Sequence, residues 1–416
     1  MIGRRAFLAG GLSALAAAPL WGQGKPSPLR PVKSVIWIWM DGGASQIDTW
    51  DPKPGRPNGG GLQAIDTAVP GIAVSELLPR CAAQMARLSI VRTSELPRLL
   101  DDRTPELLSD AMHCSTPPGC DEVEPATGTI LAYELGRKGA SVPQFVSIDS
   151  PRIPETDWFG RDFLPFHVSP RDEETWAAGL LASRAEPVET LLRQQDQGWE
   201  KDRRSPIRGR FEAARTRAEI LRSAPFLDAF RTEREPGELQ KEYGDGFGRR
   251  CLQARRLVEA GVTVVEIAQH GWTAAAGAFV PIRRLAGELD AGLGTLIRDL
   301  SDRNLLKDTV VVCIGPGGRS PKLNAQGGRD GGAPTFSVVL AGGSLKGGRV
   351  VGDTGADGTE ATPRVPHHNL HATIYRACGV DADKSYVTPG HKKKYVSQNG
   401  TSMTRGTPIA SLFEDK

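Results

Sequence analysis

The sequence predicts an α/β fold in which a mostly parallel sheet carries helices on both faces. The first observation is the run Ser34–Met40, which is almost wholly apolar and contains β-branched and tryptophan side chains. Such a run is typical of a strand buried on both faces. The second observation is that similar short runs recur and alternate with amphipathic helical patterns, as a parallel sheet requires. The chain has 416 residues and can bury a large core.

Strands and helices alternate along the chain. The later predicted strands share a buried, β-branched composition and cover residues 88–92, 144–148, 262–268, 309–314 and 335–341. The predicted helices share an apolar face at helical spacing and cover residues 75–87, 127–136, 246–260, 279–303 and 367–378. A charged, proline-broken segment over about 171–240 predicts a helical insertion that faces solvent.

The N-terminus predicts an export signal that is not part of the fold. Arg4 and Arg5 precede a short apolar run that ends near Leu20. This order is typical of a secretory signal, and the paired arginines favour the twin-arginine type. The alternative, a membrane anchor, needs about 20 apolar residues, and this run is shorter and contains glycines. We therefore expect a signal peptide over 1–23, a linker over 24–33, one domain over 34–416, and a periplasmic or extracellular location.

Composition excludes some classes of function. The formal net charge is only +3 and no stripe of arginine and aromatic residues is present, which argues against nucleic-acid binding. No later segment is long enough for stable membrane insertion. Among the six cysteines, Cys114 and Cys120 share one loop and are the only pair for which we predict a disulfide. His367, His368 and His371 begin the last predicted helix, where we expect capping and solvation.

Polar residues follow several predicted strands. Asp41 ends the first strand beside two glycines, and His270 and Arg319 follow two later strands. In open α/β sheets, ligands bind at the edge where the carboxyl ends of the strands meet. Asp41 is a suitable ligand for zinc or a hard cation, or it only caps the turn. Ser45 is a candidate nucleophile, or an ordinary turn serine.

Longer segments of the chain resemble the family known as domain of unknown function 1501, which comprises sulfatase-like proteins exported by the twin-arginine route. The segments include MDGGASQIDTWDPKPG at Met40, VPGIAVSELLPRCA at Val69, YGDGFGRRCLQARRLVEAGVTVVEI at Tyr243 and NLHATIYRACGVD at Asn369. The resemblance covers nearly the whole chain after the signal. It implies an alkaline phosphatase/sulfatase-like fold and metal-assisted transfer of a phosphoryl or sulfuryl group.

The resemblance also implies metal ligands, and this sequence departs from the family at most of them. The family's Gly-Trp-Asp-Thr-His is Gly-Trp-Thr-Ala-Ala from Gly271 onward. Its Gly-Glu-Phe-Gly-Arg is Gly-Pro-Gly-Gly-Arg from Gly315, and its Gly-Arg-Asp-His is Gly-Arg-Asp-Gly from Gly328. An aspartate, two histidines and a glutamate of the family patterns are thus replaced by residues that bind metals poorly, and metal affinity depends on the number of ligands.

Three hypotheses about function follow. In the first, the protein is a catalytically degenerate member that binds an anionic, sulfated or phosphorylated ligand, or an envelope protein partner, at the former active-site edge. Arg319 and Arg329 would bind the anion, unless they pair with Asp330 or Asp41. In the second, Asp41, His270 and Asp330 rebuild a zinc or calcium site that hydrolyses sulfate or phosphate esters. In the third, the helical insertion is the contact surface of an envelope assembly. The missing ligands favour the first.

Overall fold

The computed structural model describes most of the chain after the predicted signal. The described residues are 30–96, 110, 112–114, 125–137, 140–150, 153–154, 158–169, 224–273, 279–333, 335–387, 393–395, 398–399 and 402–413. The export signal, Cys120 and most of the predicted helical insertion lie outside these residues. The signal peptide and the disulfide between Cys114 and Cys120 therefore remain predictions.

A central sheet organises the fold. The strands of the described chain are β1 (Ser34–Met40), β2 (Ala64–Asp66), β3 (Ala73–Ser75), β4 (Leu88–Glu95), β5 (Phe145–Ile148), β6 (Phe166–Val168), β7 (Val264–Gln269), β8 (Thr309–Ile314), β9 (Thr335–Gly342), β10 (Arg349–Val351), β11 (Ser385–Val387), β12 (Lys393–Tyr395), β13 (Gln398–Asn399) and β14 (Ser402–Arg405). Eight of these described strands form one sheet in the order β10-β4-β9-β8-β1-β7-β5-β6. Only β9 is antiparallel to its neighbours in this sheet. The predicted mostly parallel sheet is confirmed.

Strand β1 lies inside the sheet, between β8 and β7, and all of its residues are buried. Successive side chains of a strand point to opposite faces. Ile36 and Ile38 accordingly belong to one core cluster, whereas Trp37 and Trp39 belong to the other. Because helices cover both faces, β1 must be apolar on both, which explains its continuous apolar run.

Helices cover both faces of the sheet, as predicted. The helices of the described chain are Pro79–Ala83, Thr127–Leu135, Ala224–Ala229, Gly237–Tyr243, Phe247–Glu259, Phe279–Leu289, Thr295–Asp302 and His367–Ala377. The helices Phe247–Glu259 and Phe279–Leu289 pack on the face of Ile36. The helices Thr127–Leu135 and His367–Ala377 pack on the face of Trp37. Among the described helices, none is both long and apolar enough to cross a membrane.

The predicted helix over 279–303 is interrupted by a π-helical turn, Asp290–Gly294. The Asp290 carboxylate accepts the backbone N–H groups of Arg80 and Cys81 at 3.0 and 2.8 Å. These groups belong to the first turn of the helix Pro79–Ala83, whose N–H groups have no partner within the helix. The helix predicted over 75–87 is shorter in the structure, Pro79–Ala83. Its predicted first residue, Ser75, pairs in strand β3 instead.

The end of the predicted insertion, residues 224–240, is only partly exposed to solvent. Phe226 and Phe230 are buried in the core. The charges of this stretch also have fixed partners, since Glu235 pairs with Arg255 at 2.9 Å and with Arg256. The charge pattern that suggested a solvated surface therefore belongs, in this part, to an ion-pair network that joins the helices.

Candidate anion-binding edge

The carboxyl ends of the parallel neighbours β8, β1, β7 and β5 meet at one edge of the sheet. Asp41 follows β1, His270 follows β7, and Arg319 lies in the turn after β8. The structure thus brings these three predicted residues to one edge. It adds Asp149, which follows β5. Asp149 could have been found by the same sequence pattern that pointed to Asp41, namely an aspartate directly after a buried strand.

His270 is held between two oxygen acceptors. Its Nδ1 lies 2.8 Å from Oδ2 of Asp41, and its Nε2 lies 2.7 Å from the carbonyl oxygen of Asp149. The hydrogen bond from His270 holds the pKa of Asp41 below its ordinary value, so Asp41 is an ionised acceptor. A carbonyl oxygen also only accepts. Both ring nitrogens therefore face acceptors, an arrangement that favours the doubly protonated imidazolium form of His270. Its pKa is raised, first by the hydrogen bond to Asp41.

An imidazolium does not bind a metal, because a histidine ligand uses the lone pair of a neutral ring nitrogen. Asp330 is exposed and accepts a hydrogen bond from Nδ2 of Asn324 at 2.9 Å. In the part of the chain that the structure describes, no group of three or more His, Cys, Asp or Glu side chains could hold a metal ion. Asp41, His270 and Asp330, the predicted ligands, therefore do not form one site in this arrangement.

Asp149 has an unusual backbone for a residue with a side chain. Its φ is 55°, in the left-handed region, which costs a non-glycine residue about 1 kcal/mol or more. Its carboxylate accepts a hydrogen bond from Nη1 of Arg250 at 2.8 Å. The carboxylate is therefore tied to Arg250 while the carbonyl accepts from His270. The result is a row of alternating charges: Arg250, Asp149, His270 and Asp41.

Arg319 has a different environment from the residues of this row. Its Nε donates to the carbonyl of Gly43 at 2.9 Å, and its Nη2 donates to the carbonyl of Gly42. Its backbone is fixed by Gln46, which accepts its N–H at 3.1 Å and donates to its carbonyl at 2.9 Å. Burial lowers the pKa of the guanidinium. Within the described chain, Arg319 forms no salt bridge and its Nη1 has no hydrogen-bond partner.

Arg329, the second predicted anion-binding residue, is buried and paired with a carboxylate. Its Nε and Nη2 donate to the two carboxylate oxygens of Asp48, each at 2.8 Å. Its remaining donors bind the carbonyls of Pro321 and Asn58. Four of the five N–H donors of Arg329 are thus used by other residues of the protein. The prediction of an anion-binding role must be corrected: Arg329 joins the loops after β1 and β8.

Ser45, the predicted nucleophile, is buried, and its hydroxyl accepts the backbone N–H of Asp48 at 3.2 Å. Its carbonyl accepts the hydroxyl of Thr49 at 2.7 Å. A nucleophilic serine needs a base within hydrogen-bond distance of its oxygen. No His, Asp or Glu side chain of the described residues bonds to this hydroxyl. Its place in the structure is that of a turn serine.

Comparison with known proteins identifies the family. A sequence profile described as "Protein of unknown function (DUF1501)" matches residues 32–406. The chain belongs to this family. No curated protein matches it. The family resemblance that the motifs indicated is therefore confirmed.

Solved structures that are similar to this chain come from the alkaline phosphatase and sulfatase superfamily. One is an alkaline phosphatase superfamily protein from Vibrio parahaemolyticus, with 11% identity, 86% of this chain and 72% of that chain covered, and a TM-score of 0.40. Another is the PsFucS1 sulfatase from Pseudoalteromonas sp., with 12% identity, coverages of 91% and 73%, and a TM-score of 0.38. The C-terminal periplasmic domain of EcEptC from Escherichia coli has 9% identity, coverages of 93% and 95%, and a TM-score of 0.37. At these values the similarity carries neither fold nor activity over to this chain.

Proposed function

We propose that the protein is an exported, non-catalytic member of its family that binds an anionic ligand at the carboxyl edge of the sheet. The ligand would present a sulfate, phosphate or carboxylate group to Arg319. The single observation that carries this proposal is that Arg319 is a partly buried cation without a carboxylate partner in the described chain. A desolvated charge is costly unless an opposite charge compensates it.

The charges of the edge support this assignment. The row Arg250, Asp149, His270 and Asp41 contains two positive and two negative groups, each in contact with an opposite charge. Arg319 adds one positive charge next to this balanced row. Its Nε and Nη2 are held by the carbonyls of Gly42 and Gly43, so the guanidinium is fixed before a ligand arrives. Its unpartnered Nη1 offers a charge-assisted donor to an anion.

The same residues support a non-catalytic role. His270 carries protons on both nitrogens and is no general base in this state, and the hydroxyl of Ser45 is buried and bonded to Asp48. The residues at this edge also do not fit a divalent metal, because His270 offers no lone pair and Asp41 is bonded to it. The alternative, a hydrolase with a rebuilt metal site, would require His270 to lose a proton and the row to rearrange.

Calorimetric titration of the chain without residues 1–23 tests the proposal, with inorganic sulfate and inorganic phosphate as probes at constant ionic strength. We expect Arg319→Gln to weaken binding at least tenfold and Arg319→Lys to weaken it less, since lysine keeps the charge but not the fork. The matched control is Arg284→Gln, which removes an exposed arginine that pairs only within its own helix. Unchanged binding in Arg319→Gln, with circular dichroism of the folded protein, would overturn the proposal.

The hydrolase alternative is tested on the same preparation. Metal content is measured after incubation with zinc or calcium, and hydrolysis of 4-nitrophenyl sulfate and phosphate is measured with and without the metal. We expect neither stoichiometric metal nor turnover. One metal per chain that is lost in Asp41→Asn, together with hydrolysis, would replace the proposed function with the hydrolase.

Export is the part of the proposal that rests on the N-terminus alone. Replacing Arg4 and Arg5 with lysine in the full chain should block export by the twin-arginine route and leave the protein in the cytoplasmic fraction. Undiminished export of this variant would contradict the assigned route.

A further inference from the structure

A cluster of histidines lies buried on the face of the sheet that carries Trp37, beneath the surface rather than at the ligand edge. His113, His367 and His371 have exposed fractions of 2%, 5% and 0%. The sequence had suggested solvated histidines at the start of the last helix. They are buried because the helix His367–Ala377 packs against the sheet along its first turns.

His371 has the most restricted environment of the cluster. Its Nδ1 lies 2.9 Å from the hydroxyl of Thr127, and its Nε2 is buried without a hydrogen-bond partner in the described chain. Its ring centre lies 4.4 Å from that of His367 and 6.5 Å from that of Trp37. In the described chain, no carboxylate contacts His371. The neutral ring fits this site, but an imidazolium there has no counter-charge.

The charged and titratable groups around His371 also favour the neutral ring over the protonated ring. Its own helix contributes His367, His368 and the hydroxyl of Tyr375, and the segment 112–114 contributes His113. The helix Thr127–Leu135 contributes only a hydroxyl, and strand β1 contributes an indole. Strand β7 supplies a carboxylate, Glu266, which lies 3.1 Å from Nε2 of His113. Among the described residues, the surroundings of His371 thus include several histidines and an acid, Glu266, that is bound to His113.

This arrangement predicts the direction of the pH effect. Burial is the main cause that lowers the pKa of His371, and the neighbouring histidines lower it further. In the unfolded or opened chain the ring takes up a proton below about pH 6.5, whereas the packed ring does not. The packed state therefore loses stability as the pH falls below about 6.5, because the open state binds more protons.

The last helix also holds the end of the described chain. The backbone N–H of Thr407 donates to Oδ1 of Asn369 at 2.8 Å, and that of Ile409 donates to the hydroxyl of Thr373 at 3.0 Å. The helix and the segment 406–413 are therefore joined and would leave the sheet together. Their departure would uncover Trp37, which is 2% exposed.

We propose that the buried histidine cluster around His371 is an acid-sensitive latch, which releases the helix His367–Ala377 and the segment 406–413 from the sheet below about pH 6. The strands beneath remain paired when the latch opens. The switch depends on the neutral state of one ring and not on a ligand. It is independent of the anion site, because it rests on residues on a different part of the fold.

Hydrogen exchange with mass spectrometry tests the latch at pH 7 and pH 5, with protection factors corrected for intrinsic rates. In the natural sequence, protection of the peptide 367–377 should fall about tenfold for each pH unit below about 6.5, while protection of 34–40 stays constant. In His371→Gln, which keeps a polar side chain but does not titrate here, the same change should be less than twofold. His167→Gln, which removes an exposed histidine outside the cluster, is the control and should behave like the natural sequence.

Three results would overturn the latch. The first is constant protection of 367–377 between the two pH values in the natural sequence. The second is an equal loss of protection in His371→Gln. The third is a parallel loss in 34–40, which would show general acid unfolding. If His371→Gln does not fold, quenching of tryptophan fluorescence by acrylamide is compared between the natural chain and Trp37→Phe. A reversible rise in quenching at pH 5 that is absent in Trp37→Phe supports the latch. No rise in the natural chain refutes it.

Discussion

Replacing Arg329 with methionine should destabilise the protein strongly, although Arg329 lies close to the ligand edge and was expected to bind an anion. The side chains of Arg329 and Asp48 are only 2% and 1% exposed. Methionine preserves much of the buried volume but leaves the Asp48 carboxylate without its bidentate partner. It also removes the donors that the carbonyls of Pro321 and Asn58 use.

The magnitude follows from this burial. Breaking a buried ion pair by removing one partner costs about 3–5 kcal/mol, because the remaining charge stays in the protein interior without compensation. The double variant Asp48→Asn/Arg329→Met should recover part of this loss, since it removes the uncompensated charge. The matched arginine is Arg319, which is partly exposed and bonds only to two carbonyls. Its replacement by methionine should cost about 1–2 kcal/mol.

Urea unfolding followed by circular dichroism measures these differences, with the free energy taken from the shift in midpoint and the mean slope. The three variants and the natural chain are compared at pH 7. A loss below about 1 kcal/mol in Arg329→Met would refute the reasoning, because it would mean that the pair is solvated and its guanidinium available. An equal loss in Arg319→Met would show that the two arginines have the same role.

Two further predictions concern single contacts. The pair Asp41–His270 should stabilise the fold most between about pH 4 and 6.5. Because the pKa of His270 is raised in the folded protein, its contribution is complete below about pH 6.5 and is lost as the pH rises through that raised pKa. Because the pKa of Asp41 is lowered in the folded protein, its contribution is lost as the pH falls through that lowered pKa. In NMR titration the ring of His270 should have its midpoint above 6.5 and move down in Asp41→Asn; a midpoint at or below 6.5 in the natural chain would contradict the imidazolium. Asp290→Ala should lower the free energy of unfolding by about 1–3 kcal/mol, since the N–H groups of Arg80 and Cys81 lose their acceptor. Urea unfolding measures this loss. The control is Asp290→Asn, which keeps one acceptor oxygen and should show a smaller loss.

The strands that the sequence predicted best are those buried on both faces. β1 and β8 have the predicted bounds, because a run of β-branched and aromatic residues without charges has few alternatives. The short edge strands β6 and β10 were not predicted, since three residues carry no detectable period. The π-helical turn Asp290–Gly294 was also missed; its Asp290 binds a helix about 210 residues earlier in the chain, a contact that local periodicity does not reveal.

The candidate site was predicted in position but not in chemistry. Strand order and direction bring Asp41, His270 and Arg319 to one edge, and that could be inferred from strand ends alone. Their protonation and partners could not. The pKa of His270 is raised by Asp41 and by the carbonyl of Asp149, a residue about 120 positions away in the chain. Arg319 and Arg329 look alike in sequence, yet only tertiary contacts give one a buried carboxylate and the other none.

The sequence by itself determined the family and the alternation of strands and helices. These properties depend on residue identity and local periodicity, which the chain carries directly. The tertiary structure decided which charges are compensated and which histidines are buried. His371 belongs to the first turns of a helix and has the sequence context of a solvated residue, but packing against Trp37 and Thr127 removes it from water. Electrostatic roles depend on desolvation and on partners far apart in the chain, and these exist only once the fold has formed.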